Sequence, residues 1–263
     1  MTAPADRSLR WNRLLELLAE SGRLTVEEAS DRLGVSLATI RRDFTALADQ
    51  QLATRTHGGI VATTVAYDLP ARYRGTGGEA KQRVAEHAAS LVDPSEVVGL
   101  NGGTTTTAVA RALAGRPDLP TSADHELVIV TNALNIAGEM VLRPHLRTIC
   151  LGGMARRESY ELHGPLAERS LAELRLDTVI LGVGAISAEG GAQCRHLDEA
   201  GVNAEMVRRA QRVIAVATAD KLDRTALARI CPIEDIHILV MDTAADPIAI
   251  AAIEEAGVQV HLV

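Results

Sequence analysis

One stretch of this chain, Asn101-Gly102-Gly103 followed by Thr104, Thr105, Thr106 and Thr107, joins two glycines to four consecutive hydroxyls. It follows the apolar run EVVGL, which reads as a strand ending at Leu100, and it opens the helix-like AVARAL. Glycines let backbone approach an anion closely. A helix start adds unpaired N–H groups and the positive end of its dipole, and threonine hydroxyls add donors without adding charge. No Lys follows the glycines as in a Walker A loop, and the spacing is not GxGxxG. A nucleoside triphosphate or a dinucleotide is therefore disfavoured, and a single phosphate group fits. A capped helix with nothing bound is the plain alternative.

Other strand ends also carry small polar residues: Thr131-Asn132, Gly152-Gly153, Gly182 and Gly184, and Asp220-Lys221. The only other lysine is Lys81, so the place of Lys221 just past a strand draws notice. It either caps a phosphate or pairs with Asp220 or Asp223. Asp198 and Glu199 could form an acid/base pair or hydrogen-bond sugar hydroxyls. Equally, both could be acids at a helix start favoured by the dipole.

A third stretch, GVSLATIRRDF, sets Arg41 and Arg42 side by side. Leu37, Ile40, Phe44 and Leu47 form one apolar stripe at helical spacing, which leaves Thr39, Arg41, Arg42 and Asp43 as the exposed candidates. Ser36 can cap this helix. Ahead of it, Gly34 suits a tight turn, and Thr25 with Glu28 makes a capping box for a preceding helix with Val26, Ala29 and Leu33 inside. Trp11, Leu14, Leu15 and Leu18 mark a still earlier helix. LATRTHGGIVA then predicts a two-stranded wing around Gly58-Gly59. Helix, turn, helix and hairpin is the order of a winged helix-turn-helix, whose recognition helix meets the major groove. A small bundle with solvated arginines is the alternative. Arg42 could then pair with Asp43 or Asp49, and Ser36 could serve as a cap alone.

These motifs need a scaffold, and 263 residues allow two domains. Hydrophobic residues make up 47% while aromatics make up 2%, so the core is aliphatic, which argues against aromatic stacking as a grip on bases or sugar rings. The net charge of −7 is unevenly spread: residues 1–62 hold eight arginines and eight acids, so DNA contact must come from a local arginine cluster. Cys150, Cys194 and Cys231 have no metal-ligand spacing, which argues against a disulfide framework or zinc site, and no cofactor is expected. No apolar run reaches membrane-spanning length and no signal peptide is evident, so a cytoplasmic protein without a membrane partner is expected. Residues 1–62 read as the winged helix-turn-helix, 63–78 as a linker, and 79–263 as a larger domain. After a helix over 79–92, that domain alternates apolar strands with helices at 105–113, 133–142, 166–174, 198–211 and 247–256. The alternation predicts an α/β fold with a mostly parallel sheet covered on both faces.

RLTVEEASDRLGVSLATIRRDFTAL with RTHGGIV resembles the N-terminal domain of DeoR-family transcriptional regulators in cap, turn, double arginine and wing. The resemblance implies contacts to double-stranded operator DNA from Ser36, Thr39, Arg41 and Arg42, with Arg55 and His57 from the wing. The strand-end motifs resemble the family's sensor domain, related in fold to ribose-5-phosphate isomerase, which binds phosphorylated sugars. By that match Gly103, Thr104, Thr105 and Thr106 hold phosphate, and Asn132, Gly152, Gly153, Glu199 and Lys221 surround the rest. Two departures stand out: Asn101-Gly102-Gly103 replaces the frequent Asp-Ser-Gly, and Thr218-Ala219-Asp220-Lys221 replaces Asp-Ser-Ser-Lys. The first removes a carboxylate that could recognise a hydroxyl or move a proton. The resemblance implies a sugar-phosphate-controlled repressor of carbohydrate genes that works as a homo-oligomer, dimer or tetramer. A sugar-phosphate isomerase with an appended DNA domain is the competing expectation, with Glu199 and Asp220 as its attractive carboxylates.

Overall fold

A computed structural model of the protein describes residues 10–11, 13–15, 17–18, 23–49, 53–56, 58–62, 78–119 and 126–263. The chain divides into two units, residues 1–70 and 71–263. His57 and all of the expected linker except Gly78 lie outside the described residues.

In the first unit, helical residues 10–11, 13–15 and 17–18 precede strand β1 (Arg23–Thr25) and helix α1 (Val26–Leu33). The expected capping box is formed: Glu28 N–H donates to Thr25 Oγ1 at 3.1 Å, and the Glu28 carboxylate accepts from Thr25 N–H at 2.9 Å. Such a cap is typically worth about 1 kcal/mol. Gly34 ends α1 at φ +63°, a conformation that glycine adopts without a Cβ penalty, and its N–H reaches Ser30 O at 2.9 Å. Helix α2 (Leu37–Asp49) follows, with Thr39 N–H donating to Ser36 Oγ at 3.3 Å. Strands β2 (Ala53–Thr56) and β3 (Gly59–Ala62) pair antiparallel, and β1 joins the free side of β3. The wing is therefore part of a three-stranded sheet. The expectation of two strands assigned the residues before Val26 to a cap alone.

Leu14, Leu18, Ile40, Phe44, Leu47 and Ile60 form the centre of this unit, none more than 1% exposed. Burial of each contributes roughly 1.5–3 kcal/mol. The apolar stripe needs two corrections. Leu37 is 42% exposed, because it lies in the first turn of α2 before the helix meets the core. Asp43, expected outside, is 4% exposed: the preceding helical stretch lays Arg10 and Trp11 over it, and its carboxylate accepts from Arg10 Nε at 2.6 Å and Trp11 Nε1 at 2.9 Å.

The second unit is built on a seven-stranded parallel sheet. In chain order its strands are β4 (Val97–Leu100), β5 (Leu127–Thr131), β6 (Leu146–Cys150), β9 (Leu176–Gly182), β12 (Ala210–Ala217), β14 (Ile238–Met241) and β15 (Gln259–Leu262). Their spatial order is β15-β14-β12-β9-β4-β5-β6. The chain starts at β4, moves outward through β5 and β6, then returns to place β9 on the other side of β4. The order thus reverses between β4 and β9. Alternation along the strands feeds two cores: Val179, Leu181, Val213 and Ala215 enter one cluster, while Ile180, Ile214 and Val216 enter the other. Helices α3 (Glu79–Ser90), α4 (Thr104–Ala114) and α5 (Leu134–Met140) supply the second cluster. Helices α6 (Pro165–Ala172), α7 (Leu197–Arg209) and α8 (Pro247–Glu255) supply the first. This is the α/β architecture expected, with helices on both faces. The short strands β7 (Met154–Ala155) and β8 (Leu162–His163) form a hairpin, and β10 (Ala185–Ser187), β11 (Gly191–Cys194) and β13 (Ala228–Cys231) form an antiparallel sheet in the order β10-β11-β13.

Candidate functional site

In an open α/β sheet, the crevice beyond the carboxyl ends of the strands at the order reversal is the place where ligands bind. Here it is a cavity of about 580 Å³ past the ends of β4 and β9. Asn101 closes its floor. Its amide Nδ2 donates to Gly182 O at 2.9 Å, and its Oδ1 accepts from Gly182 N–H at 2.7 Å, so one side chain ties the ends of β4 and β9 together. Gly102 comes next, packed against Glu161: a Cβ at Gly102 would sit 2.3 Å from the Glu161 Cγ. Gly103 then leads into α4, whose first N–H groups have no intrahelical partner. Thr106 and Thr107 turn their hydroxyls back to Gly103 O at 3.1 and 2.6 Å and hold this turn. Thr104 and Thr105 face the cavity, and their hydroxyls hold no hydrogen bond among the described residues.

The opposite wall is rich in acceptors. The loop from β7 to β8 docks on the end of β5, with Leu134 N–H bonded to Tyr160 O at 3.0 Å and Leu162 N–H to Asn132 O at 2.7 Å. This docking carries Glu161 inside, to 5% exposure. Helix α7 presents Glu199 and, one turn on, Asn203. Glu199 Oε1 accepts from Ser159 Oγ at 2.6 Å and lies 3.0 Å from Arg156 Nε. Burial first, and the nearby Glu199 charge second, push the Glu161 carboxyl up to about 7, against hydrogen bonds from Asn132, the Gly102 backbone and Asn203. Asn132 Nδ2 donates to Glu161 Oε2 at 3.1 Å. The same wall pushes the Cys194 thiol up to about 11, chiefly through burial, which removes it as a nucleophile.

Cations stand at the rim: Lys81 from α3, Arg195, and Lys221. Lys221 Nζ lies 2.7 Å from Asp220 Oδ2. Burial raises the Asp220 carboxyl, but hydrogen bonds from Lys221 and Thr218 and the charges of Lys221 and Lys81 outweigh it and hold the group below its usual range.

In the first unit, α2 offers an exposed surface of Ser36, Arg41 and Arg42, with Thr39 half-buried. Ser36 Oγ and Thr39 Oγ1 are 2.9 Å apart. Arg42 Nε donates to Ala38 O at 3.3 Å, and Arg55 Nη1 reaches across from the wing to Thr45 Oγ1 at 2.6 Å. Because Asp43 is turned inward to Arg10, it does not neutralise the neighbouring Arg42. This surface presents guanidinium groups and hydroxyls at the start of a helix, the chemistry that meets phosphates and base edges in a major groove.

Residues 10–65 match the DeoR-like helix-turn-helix domain, and residues 77–243 match the DeoR C terminal sensor domain. The chain belongs to the DeoR family of transcriptional regulators. It is 31% identical over 260 residues to a putative aga operon transcriptional repressor of Escherichia coli O157:H7, covering 97% of this chain and 94% of that one. It is 33% identical over 259 residues to the HTH-type transcriptional regulator GlpR of Haloferax volcanii, covering 98% and 97%. A ribose 5-phosphate isomerase from Methanocaldococcus jannaschii aligns with 54% of this chain and 52% of its own at 15% identity and a TM-score of 0.36, too distant to argue from. Among the described residues, no helix is long and apolar enough to cross a membrane.

Within this DeoR sensor unit, the cavity brings together Asn101, Gly102, Gly103, Thr104, Thr105, Glu199 and Lys221 of the expected effector residues. Thr106, Asn132, Gly152 and Gly153 do not line it. Thr106 is fully buried and braces the turn, Asn132 stands behind Glu161, and the two glycines lead into β7. Glu161, Arg156 and Asn203 were not legible as site residues. Asn203 had a usable signal, since Glu199 and Asn203 are four apart and share a helix face. Glu161 had none, because a hairpin loop delivers it.

Proposed function

We propose that this DeoR-family chain is a transcriptional repressor of carbohydrate-metabolism genes whose hold on operator DNA is controlled by a phosphorylated sugar. The observation that carries the reading is the polarity of the cavity. Unpaired helix N–H groups and the Thr104 and Thr105 hydroxyls stand at one end, suited to a phosphate, and polar groups suited to a sugar stand at the other. Gly103, Thr104 and Thr105 hold the phosphate, Lys221 and Lys81 add charge at the rim, and Glu199 receives sugar donors. A relative 29% identical over 242 residues is the glycerol-3-phosphate regulon repressor of Escherichia coli K12, which supports a phosphorylated small polyol as the ligand class. Ser36, Thr39, Arg41, Arg42 and Arg55, with His57, contact the operator. A homo-oligomer presents paired winged helices to repeated half-sites. The effector controls binding only by favouring one of the DNA-competent and incompetent states over the other.

Selection of genomic duplexes by the protein, with and without a panel of sugar phosphates, tests this. Enrichment of defined duplexes that one sugar phosphate changes is the expected result. No enrichment, or enrichment indifferent to every sugar phosphate, overturns it. The isomerase reading gains one observation, Glu161 in the cavity with a carboxyl near neutrality, as a general base requires. Turnover of ribose 5-phosphate would revive it.

A further inference from the structure

We infer that the effector carries a primary amine as well as a phosphate, so that the cavity takes a phosphorylated amino sugar with its ammonium between Glu161 and Glu199 and against Asn203. This rests on the sugar-phosphate reading above and narrows its ligand class.

The charge distribution of the acceptor wall leads there. Glu199 has Arg156 as its cation at 3.0 Å. Glu161, equally buried at 5% exposure, has no Lys or Arg within ion-pair distance among the described residues, and its partners are neutral amides and one backbone N–H. Asn203 lines the same cavity at 1% exposure, and its Oδ1 is buried without a hydrogen-bond partner. Its amide helps hold the Glu161 charge, and its oxygen is the group beside the cavity left without a donor. Two carboxyl groups and one amide oxygen make three acceptors, and of the two carboxyls only Glu199 has a cation beside it. A sugar hydroxyl brings one donor and no charge, whereas an ammonium brings three donors and a positive charge that favours the ionised form of Glu161. An unpaired buried charge and an unpaired buried amide oxygen are both costly, so the ligand that answers both gains most. The other end of the cavity is donor-rich at Thr104, Thr105 and the α4 N–H groups. A zwitterion with phosphate at one end and ammonium at the other matches both walls.

The test is calorimetric titration of the full-length protein with glucosamine 6-phosphate, N-acetylglucosamine 6-phosphate and glucose 6-phosphate, together with their galacto counterparts. In one sugar series the amine-bearing ligand should bind at least about tenfold tighter than both its acetylated and its hydroxyl counterparts, as a charge-assisted hydrogen bond supplies. Glu161→Gln should erase that preference. Comparing the three ligands on the native protein needs no variant, so a poorly folded Glu161→Gln does not spare the inference. Equal or tighter binding of the hydroxyl ligand, or a preference that survives in Glu161→Gln, overturns the inference and leaves the sugar-phosphate reading intact. Binding of none of these phosphates also overturns the inference, while the sugar-phosphate reading stands or falls by the wider panel above.

Discussion

The side chain of Asn101 and the backbone of Gly182 form a closed pair, amide to peptide, at the point where the strand order reverses. Only a group with both a donor and an acceptor on one plane can complete it. A carboxylate, the residue type that the family resemblance leads one to expect here, could accept from Gly182 N–H but would face Gly182 O without a proton. Asn101→Asp and Asn101→Ala should each lower stability by roughly 0.5–1.5 kcal/mol, because they remove part-buried hydrogen bonds to the Gly182 backbone. Urea unfolding measures this; a midpoint equal to that of the native protein would show that the clasp is ornamental.

Glu161 gives the sensor unit a pH dependence of defined sign. Burial and the Glu199 charge raise its carboxyl in the folded state to about 7 from an ordinary 4.5. The native state therefore holds more protons than the unfolded chain between those values. Stability falls as pH rises through that window, by about 3 kcal/mol in all. Glu161→Gln cannot ionise and should escape this loss, so its melting temperature relative to the native protein should rise from pH 5 to pH 8. A difference that stays constant over that range would place the titration elsewhere.

Arg42 and Asp43 are neighbours with opposite duties, and their variants should separate. Asp43→Ala removes the acceptor that Arg10 and Trp11 share and should cost about 1–3 kcal/mol, so DNA binding weakens through destabilisation of the winged helix. Arg42→Ala removes an exposed guanidinium and should abolish operator binding at an unchanged melting temperature. Circular dichroism beside a gel-shift assay distinguishes the two; an Arg42→Ala protein that shifts operator at native concentrations would remove Arg42 from the interface.

Affinity for DNA should fall steeply with salt, since the protein's net charge of −7 gives no global attraction and local phosphate contacts must supply it. If Arg41 holds a phosphate, Arg41→Ala should reduce the slope of log affinity against log salt by about 1. An unaltered slope would assign Arg41 to a base edge or to solvent.

What was legible in the sequence was local. The Thr25–Glu28 box, the Gly34 turn and the Asn101–Thr107 loop each sit within seven residues, and each forms as its spacing implies. Central strands announced themselves by continuous apolar runs, whereas the edge strand Gln259–Leu262 alternates polar and apolar residues and passed unnoticed. What stayed hidden depends on distant chain. Asp43 is exposed by helical period but covered by residues 33 and 32 positions earlier. Glu161 joins the site because a loop docks on Asn132, 29 residues away. No periodicity records either event.

The central claim is that the start of α4 cradles a sugar phosphate, and thermal unfolding of the full-length protein against phosphorylated and free sugars tests it most directly. At 100 times its dissociation constant a sugar phosphate should stabilise the native protein by about 2.7 kcal/mol. The free sugar should do much less, and Gly102→Ala, whose new methyl would collide with Glu161, should lose the response. Shifts of equal size with the free sugars, or none with any phosphate, would contradict the account.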